Sequence, residues 1–115
     1  MSGLTATTAG PVSRVQIARY AGAVGDFNPI HVDEEFARGT GLPSVIAHGP
    51  LTLTLAIDAL VAQVGAEVLR SFDARLRAPV LPGDNLEITP TDDGVQVANP
   101  AGNVVATAAV DLRSA

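Results

Sequence analysis

The stretch LTLTLAIDALVAQV, residues 51–64, decides the fold of this 115-residue chain because it is apolar almost all the way round a helix. A helix without a polar face in a water-soluble protein has to be buried, so other elements are expected to wrap around it. Pro50 precedes the stretch at a position that suits the first turn of a helix, and Gly65 follows at its end. The run is too short to span a bilayer and is interrupted by the polar residues Thr52, Thr54, Asp58 and Gln63.

The residues that follow Gly65 change to a two-residue period, which indicates strands. In RSFDARLRAPV, residues 70–80, one side is expected to carry Phe72, Ala74, Leu76 and Ala78, and the other Asp73, Arg75 and Arg77. Three more strands are predicted in NLEITPT (85–91), VQVAN (95–99) and VVATAAVDLR (104–113), separated by turn sequences. The four strands are predicted to form an antiparallel meander in which hairpins join every neighbouring pair.

The first third of the chain predicts one strand and two helical segments. LTATTAG, residues 4–10, is β-branched enough for a short edge strand, and Ser13 can cap a helix from Arg14 to about Val24 that ends at Gly25. Asp33 can cap a further turn that runs to residue 38.

A buried helix followed by an antiparallel meander predicts an α+β protein in which a one-sided sheet curls around a long central helix. This is the layout of the hot-dog fold, and a generic α+β sandwich is the alternative. Residues 1–115 are too few for two hydrophobic cores and are expected to form a single domain.

Composition and charge narrow the classes of function. The net charge is −5, every cation is an arginine and no basic run occurs, which argues against a nucleic-acid partner. Cysteine is absent and aromatic residues make up 3% of the chain, so thiol chemistry is excluded and the core has to be aliphatic. Such a core would gain stability from association with a second copy. The N-terminal residues lack a basic region and an apolar run, so we expect a cytoplasmic protein without a membrane segment.

The stretch GDFNPIHVD, residues 25–33, concentrates groups that can move protons. Pro29 fixes its own φ and keeps Asn28 out of the helical region, so Asp26 and His31 are predicted to be joined by a stiff, extended elbow. A carboxylate and an imidazole that reach one water molecule form a proton-transfer pair near neutral pH. His31 could accept and return a proton, while Asp26 could orient the imidazole or take the proton itself. Ordinary turn formation is the competing interpretation of these residues.

A second motif, AHGP at residues 47–50, holds the other histidine. Gly49 would present its N–H at the positive end of the buried helix, where it could stabilise a developing oxyanion. His48 is interpreted as a structural or substrate-lining histidine rather than the proton carrier. A metal site built from Asp26, His31, Asp33 and His48 is a weaker alternative, because no pair of ligands has helical i,i+4 spacing.

These motifs together resemble a known family. YAGAVGDFNPIHVDEEFARGTGLPSVIAHGPL (20–51) and RLRAPVLPGD (75–84) are similar to the signature of the MaoC-like, (R)-specific enoyl-CoA hydratases and the related 3-hydroxyacyl dehydratases. The resemblance implies that Asp26 and His31 activate a water and that the Gly49 N–H binds the thioester oxygen. It implies a supporting role for Asn28, no metal or cofactor, and a substrate carried on coenzyme A or on an acyl carrier protein.

The resemblance also implies a dimer or a larger assembly, and a homodimer and a heterodimer with a related subunit both remain open. The alternative functions are a subunit of a heteromeric dehydratase and a thioester-binding or thioesterase protein of the same fold. Arg75 and Arg77 are expected to share one face of a strand, where they could hold the phosphates of the pantetheine carrier. A solvated sheet face would place them in the same way.

Overall fold

The structure is a computed structural model that describes residues 3–114 of the chain. Its helices are α1 (Arg14–Val24), α2 (Pro29–Val32), α3 (Glu34–Gly39) and α4 (Gly49–Val64). Its strands are β1 (Thr7–Ala9), β2 (Leu69–Leu76), β3 (Leu86–Pro90), β4 (Gly94–Ala98) and β5 (Val104–Leu112).

The strands form one antiparallel sheet in the order β1-β3-β4-β5-β2. The predicted hairpins between β3, β4 and β5 are confirmed, but the predicted hairpin between β2 and β3 is wrong. β2 instead pairs with the far side of β5, from Leu69 opposite Leu112 to Leu76 opposite Ala106. The segment after β2 contains Pro79 and Pro82, which cannot donate ladder hydrogen bonds, so the chain leaves the sheet there. The sheet therefore has β1 and β2 as its two edges.

Local capping follows the sequence closely. Ser13 caps α1 by accepting a hydrogen bond from the Gln16 amide at 3.0 Å, and Gly25 ends the helix with a left-handed φ of 73°. Asp33 caps α3 by accepting from the Phe36 amide at 3.1 Å. The three predictions for the helix ends are confirmed, because each depends only on neighbouring residues.

α4 begins at Gly49, two residues before the predicted start, and lies against the sheet. Leu51, Ala56 and Leu60 are buried in an aliphatic core with strand residues such as Leu86 and Ile88. The other side of the helix is not fully covered by residues 3–114: Thr54, Asp58 and Ala62 are exposed and Ile57 is half-buried, whereas the half-buried Leu53 and Leu55 pack against the core. The prediction of a helix buried all round is therefore wrong for a single chain, because five strands enclose only one side of it.

The C-terminal end of α4 is also hydrogen-bonded to Thr5, which lies near the start of the chain. The Gln63 side chain accepts a hydrogen bond from the Thr5 amide at 2.9 Å and donates to the Thr5 carbonyl at 3.0 Å. This pair explains the polar residue near the end of an apolar helix. Among residues 3–114, no helix combines the length and the apolar character that crossing a bilayer requires.

Candidate active site

Asp26 and Asn28 shape the turn between α1 and α2. The left-handed φ of Gly25 turns the chain sharply before Asp26, whose Oδ1 accepts a hydrogen bond from the Asn28 amide at 3.2 Å. Asn28 in turn accepts from the Ile30 amide at 3.2 Å and caps α2. The predicted extended elbow is correct only as far as Asn28, because Pro29 starts a helical turn instead of prolonging the extended chain.

His31 is held in one tautomer by the backbone. Its side chain is largely buried, and its Nδ1 lies 2.7 Å from the carbonyl oxygen of Ile46. A carbonyl oxygen can only accept, so Nδ1 carries the hydrogen and the neutral ring keeps its lone pair on Nε2. The Ile46 amide donates to the Ile30 carbonyl at 3.0 Å, so this loop and α2 fix each other. The geometry thus prepares His31 Nε2 to accept a proton.

His48 packs directly on His31. The two rings stack with their centroids 3.7 Å apart and an angle of 22° between their planes, and the tilted ring of Tyr20 lies with its centroid 4.9 Å from that of His48. His48 Nε2 lies 3.0 Å from the carbonyl oxygen of Asp26 and therefore donates to it. Its Nδ1 is buried without a hydrogen-bond partner among residues 3–114. His48, which is 2% exposed, thereby connects the backbone of Asp26 to the ring of His31.

The structure brings Asp26, His31 and His48 together. One carboxylate oxygen and one nitrogen of each ring all lie within 4.8 Å of one another. Asp26 is exposed, so its carboxylate is accessible to water and to a substrate. A carboxylate and a neutral imidazole at this separation can both hydrogen-bond to one water molecule and move its proton.

The same three side chains could in principle hold a metal ion, and their geometry argues against it. The lone pairs of an imidazole lie in the plane of its ring, so two stacked rings direct them side by side instead of toward one ion. His31 Nδ1 and His48 Nε2 are already occupied by backbone carbonyls. Asp33, the fourth candidate ligand in the sequence, instead caps α3.

Gly49 follows His48 in the chain and lines a cavity of about 360 Å³. It is the first residue of α4, where a backbone N–H has no acceptor within the helix. Asp26 and His31 do not line the cavity, but Ile46 does, and its carbonyl orients His31. The walls are mainly apolar and consist of Leu42, Ile46, Ala47, Gly49, Thr52, Leu76, Arg77, Ala78, Pro79 and Val80.

Arg75 and Arg77 share a face, as their spacing predicts, and both line a groove of about 370 Å³. The groove also holds the carboxylates of Asp73 and Asp93, so its charge is mixed. Arg77 differs from Arg75 because it lines the cavity beside Gly49 as well. Its Nη2 lies 3.5 Å from the hydroxyl of Thr107, at the limit of a hydrogen bond.

Glu34 is part of the support of this site that sequence reasoning missed. It forms ion pairs with Arg14 of α1 and with Arg38 one turn further along α3. The hydrogen bond from Arg14 lowers the pKa of Glu34, and partial burial of the carboxylate opposes this effect. The charges of the two arginines and the backbone amide of Val45 lower the pKa further. The ion pairs of Glu34 therefore connect α3 to α1.

The roles of Tyr20 and Ile46 at this site were not predicted from the sequence, and the reason differs between the two residues. Tyr20 is the only tyrosine in a chain with few aromatic residues, so its position on α1 was a usable signal. Ile46 acts through its backbone carbonyl, which any residue type would supply. No sequence pattern could have identified it.

The known proteins that this chain resembles share one domain family. A family model described as the MaoC like domain matches residues 3–112. The chain is 44% identical over 66 residues to 3-hydroxyacyl-thioester dehydratase Y of Mycobacterium tuberculosis, which covers 54% of this chain and 23% of the relative. It is 38% identical over 65 residues to the peroxisomal enoyl-CoA hydratase 2 of Arabidopsis thaliana, covering 54% and 21%.

Among solved structures, the chain is similar to the unliganded R-hydratase PhaJ1 of Pseudomonas aeruginosa. The TM-score is 0.77 at 26% identity, and the match covers 94% of this chain and 77% of the other. The curated relatives are mostly much longer proteins, of which the chain spans between 4% and 34% of the length.

Proposed function

Because this chain belongs to the MaoC-like domain family, we propose that it is an (R)-specific hydratase or dehydratase. The reaction adds water across the 2,3 double bond of an enoyl thioester, or removes it from the 3-hydroxyacyl product. The observation that supports this proposal is the convergence of the Asp26 carboxylate and the His31 imidazole within 4.8 Å. The tautomer of His31, with its basic nitrogen on Nε2, suits proton transfer.

His31 and Asp26 are proposed to act on the same water. Since the Nδ1 of His31 is bonded to Ile46, Asp26 cannot orient the ring through that nitrogen and has to act on the water directly. One member of the pair removes a proton while the water oxygen bonds to Cβ. The same proton then passes to Cα, so one water supplies both the hydroxyl group and the hydrogen. Dehydration follows the reverse path.

Gly49 is proposed to stabilise the intermediate. Addition at Cβ moves negative charge onto the thioester carbonyl oxygen, which requires a preorganised donor. The N–H of Gly49 has no acceptor within α4 and lies at the positive end of a 16-residue helix. Asn28 and His48 are proposed as supporting residues, because one caps α2 and the other holds the Asp26 carbonyl.

The carrier of the acyl group is proposed to be coenzyme A or the pantetheine of an acyl carrier protein. Arg77 is placed better than Arg75 for its phosphates, because Arg77 lines both the groove and the cavity beside Gly49. Guanidinium groups bind phosphate through paired hydrogen bonds. The carboxylates of Asp73 and Asp93 in the same groove weaken the case for Arg75. Neither a metal nor another cofactor has a part in the proposed steps.

An assembly of at least two chains is proposed as well. The half-buried Ile57 and the exposed Ala62 of α4 present apolar surface that a second chain could cover. The edge strand β2 pairs on one side only and offers backbone groups along its other side. Both a second copy and a related subunit fit these features.

The test is hydration of crotonyl-CoA, followed by the loss of absorbance of the enoyl thioester. Asp26→Asn and His31→Gln should each slow the reaction by about 10²–10⁴-fold, as expected for loss of a general acid–base group. Asp92→Asn, in the exposed turn between β3 and β4, is the matched control and should react at the normal rate. Full activity of Asp26→Asn would rule out the proposed chemistry.

A thioesterase of the same fold is the second candidate, and thiol release distinguishes it. Wild-type protein that releases free coenzyme A without forming 3-hydroxybutyryl-CoA would be a thioesterase. A non-catalytic subunit would show neither reaction alone and would gain activity only with its partner. The chain retains both members of the acid–base pair, which favours the hydratase.

A further inference from the structure

We propose that Leu76 controls access to the thioester site and that its size discriminates against acyl groups with a substituent at Cα. This inference rests on the proposed function, because it concerns the same site. It starts from the position of one side chain at the end of β2, which the proposed mechanism does not use.

Leu76 is exposed although the side-chain alternation of its strand predicts that it is buried. It pairs with Ala106 in the sheet, and Ala106 is buried whereas Leu76 is 51% exposed. The alternation of β2 predicts that Leu76 faces the core, together with Phe72 and Ala74, and those two residues are half-buried against it. Leu76 instead lies at the end of the strand, where it forms part of the cavity wall.

The side chain of Leu76 covers Gly49. A Cβ built on Gly49 would lie 2.3 Å from Leu76 Cδ1 and 3.5 Å from its Cγ and Cδ2. The leucine methyl group therefore occupies the space next to the Cα of Gly49. Because Cδ1 lies this close to the backbone of Gly49, a thioester carbonyl that accepts from the Gly49 N–H at about 2.9 Å is proposed to bring its Cα near this methyl group.

The remaining cavity wall is less able to adjust. Val80 is 2% exposed and Ala47 is 5% exposed, and the Ala47 amide donates to the Val80 carbonyl at 2.8 Å. Leu76 has half of its surface in water, so it can change rotamer more easily than they can. Apart from Arg77, the cavity lining is mainly apolar, so the part of the cavity beside Gly49 and Leu76 suits the acyl side of the thioester. Leu76 is thus the movable group that the first carbons of the acyl chain meet.

A straight 2-enoyl chain has only hydrogen at Cα and fits beside the leucine. A 2-methyl group would need the space that Cδ1 occupies. Discrimination by one methyl group in a hydrophobic pocket is typically about 10- to 200-fold. We therefore expect wild-type protein to prefer crotonyl-CoA over 2-methylcrotonyl-CoA by about tenfold or more.

The experiment compares kcat/KM for these two substrates in wild type, Leu76→Ala, Leu76→Met and Leu76→Phe. The measured ratio is kcat/KM for 2-methylcrotonyl-CoA divided by kcat/KM for crotonyl-CoA. Leu76→Ala should raise this ratio about tenfold, and Leu76→Met should leave it near the wild-type value. Leu76→Phe should lower the ratio below the wild-type value. Leu69→Ala, at the other end of the same strand, is the control and should keep the wild-type ratio. An unchanged ratio in Leu76→Ala overturns the proposal. A KM that rises equally for both substrates leaves the ratio unchanged and therefore overturns it as well.

A binding measurement keeps this test separate from the proposed function. Butyryl-CoA and 2-methylbutyryl-CoA have no double bond and bind without being hydrated. In calorimetric titrations, Leu76→Ala should bind 2-methylbutyryl-CoA about tenfold more tightly relative to butyryl-CoA than wild type does. If wild type shows no hydration and the binding ratio still shifts, the proposed reaction is wrong and the assignment of Leu76 stands. If wild type hydrates crotonyl-CoA and neither ratio changes, the assignment of Leu76 is wrong.

Discussion

Replacing Gly49 with alanine should slow the reaction, because the new methyl group meets Leu76 beside the proposed thioester site. The stability of the fold should stay nearly unchanged. The added Cβ would lie 2.3 Å from Leu76 Cδ1. Nonbonded carbon atoms prefer separations of about 3.5–4.0 Å, so Cδ1 has to move by more than about 1 Å. Leu76 is 51% exposed, so a rotation of its side chain can provide that movement.

Two energies of opposite sign set the effect on stability. A leucine side chain pushed about 30° from its rotamer costs about 0.5–1.5 kcal/mol. Replacing glycine with alanine where the native φ suits alanine stabilises a protein by about 0.4–1 kcal/mol, because the unfolded chain loses conformational freedom. Gly49 is not among the glycines with positive φ in the described chain, so alanine adds no backbone strain there. The free energy of unfolding should therefore stay within about 1 kcal/mol of wild type.

The effect on activity should be larger. The N–H of residue 49 remains, but the new methyl group and the displaced leucine crowd the place where the thioester carbonyl is proposed to bind. A misplacement of about 1 Å can cost about 10²-fold in rate. We expect kcat/KM for crotonyl-CoA to fall by about 10- to 100-fold in Gly49→Ala.

The assay combines denaturant unfolding with crotonyl-CoA hydration in wild type, Gly49→Ala, Leu76→Ala and the double variant. Because the clash requires both side chains, the double variant should recover most of the activity that Gly49→Ala loses. Gly22→Ala is the control, since a Cβ added at this exposed position on α1 meets nothing within 4 Å beyond its chain neighbours and the backbone of its own helix. A double variant as slow as Gly49→Ala would refute the steric argument.

Three further predictions test the surroundings of the site. His48→Phe keeps a ring over His31 but loses the hydrogen bond to the Asp26 carbonyl, so kcat should fall about fivefold; His48→Ala should lose more, and equal losses would contradict a role for the stacked ring. The pKa of Glu34 is lowered in the folded state, so its stabilisation is present above the ordinary value of 4.5 and is lost as the pH falls through the lowered value. In Glu34→Gln, the denaturant midpoint of unfolding should therefore depend less on pH below about pH 4.5 than it does in wild type. If the slope of this midpoint against pH is the same in both proteins, the ion pair does not contribute to stability. Ile57→Glu places a charge on the half-exposed face of α4 and should shift sedimentation toward the monomer; an unchanged assembly would place the interface elsewhere.

The comparison between sequence and structure separates local from long-range information. The helix caps at Ser13 and Asp33 and the left-handed Gly25 follow from residues that are neighbours in the chain. The pairing of β2 with β5 does not, because it joins residues 30 to 43 positions apart, from Leu76 with Ala106 to Leu69 with Leu112. Alternation of side chains indicates that a strand exists, but it carries no information about which strand lies beside it.

The candidate site divides in the same way. Asp26, His31 and Gly49 could be selected from their chemical types and from the family resemblance, and the structure places the first two side by side. The extended elbow was wrong after Asn28 because proline suits the start of a helix as well as an extended chain. Arg75 and Arg77 share a face as predicted, but only the folded chain places Arg77 at the cavity.

The sequence alone determined the position of the long apolar helix, the strand segments, the caps and the pair of proton-transfer groups, because periodicity and residue chemistry encode them directly. Tertiary structure alone decided that the Ile46 carbonyl sets the tautomer of His31, that His48 stacks on that ring, and that Leu76 covers Gly49. These features depend on backbone atoms and on distances between remote segments. Every residue carries the same carbonyl group, and a distance exists only after the chain has folded.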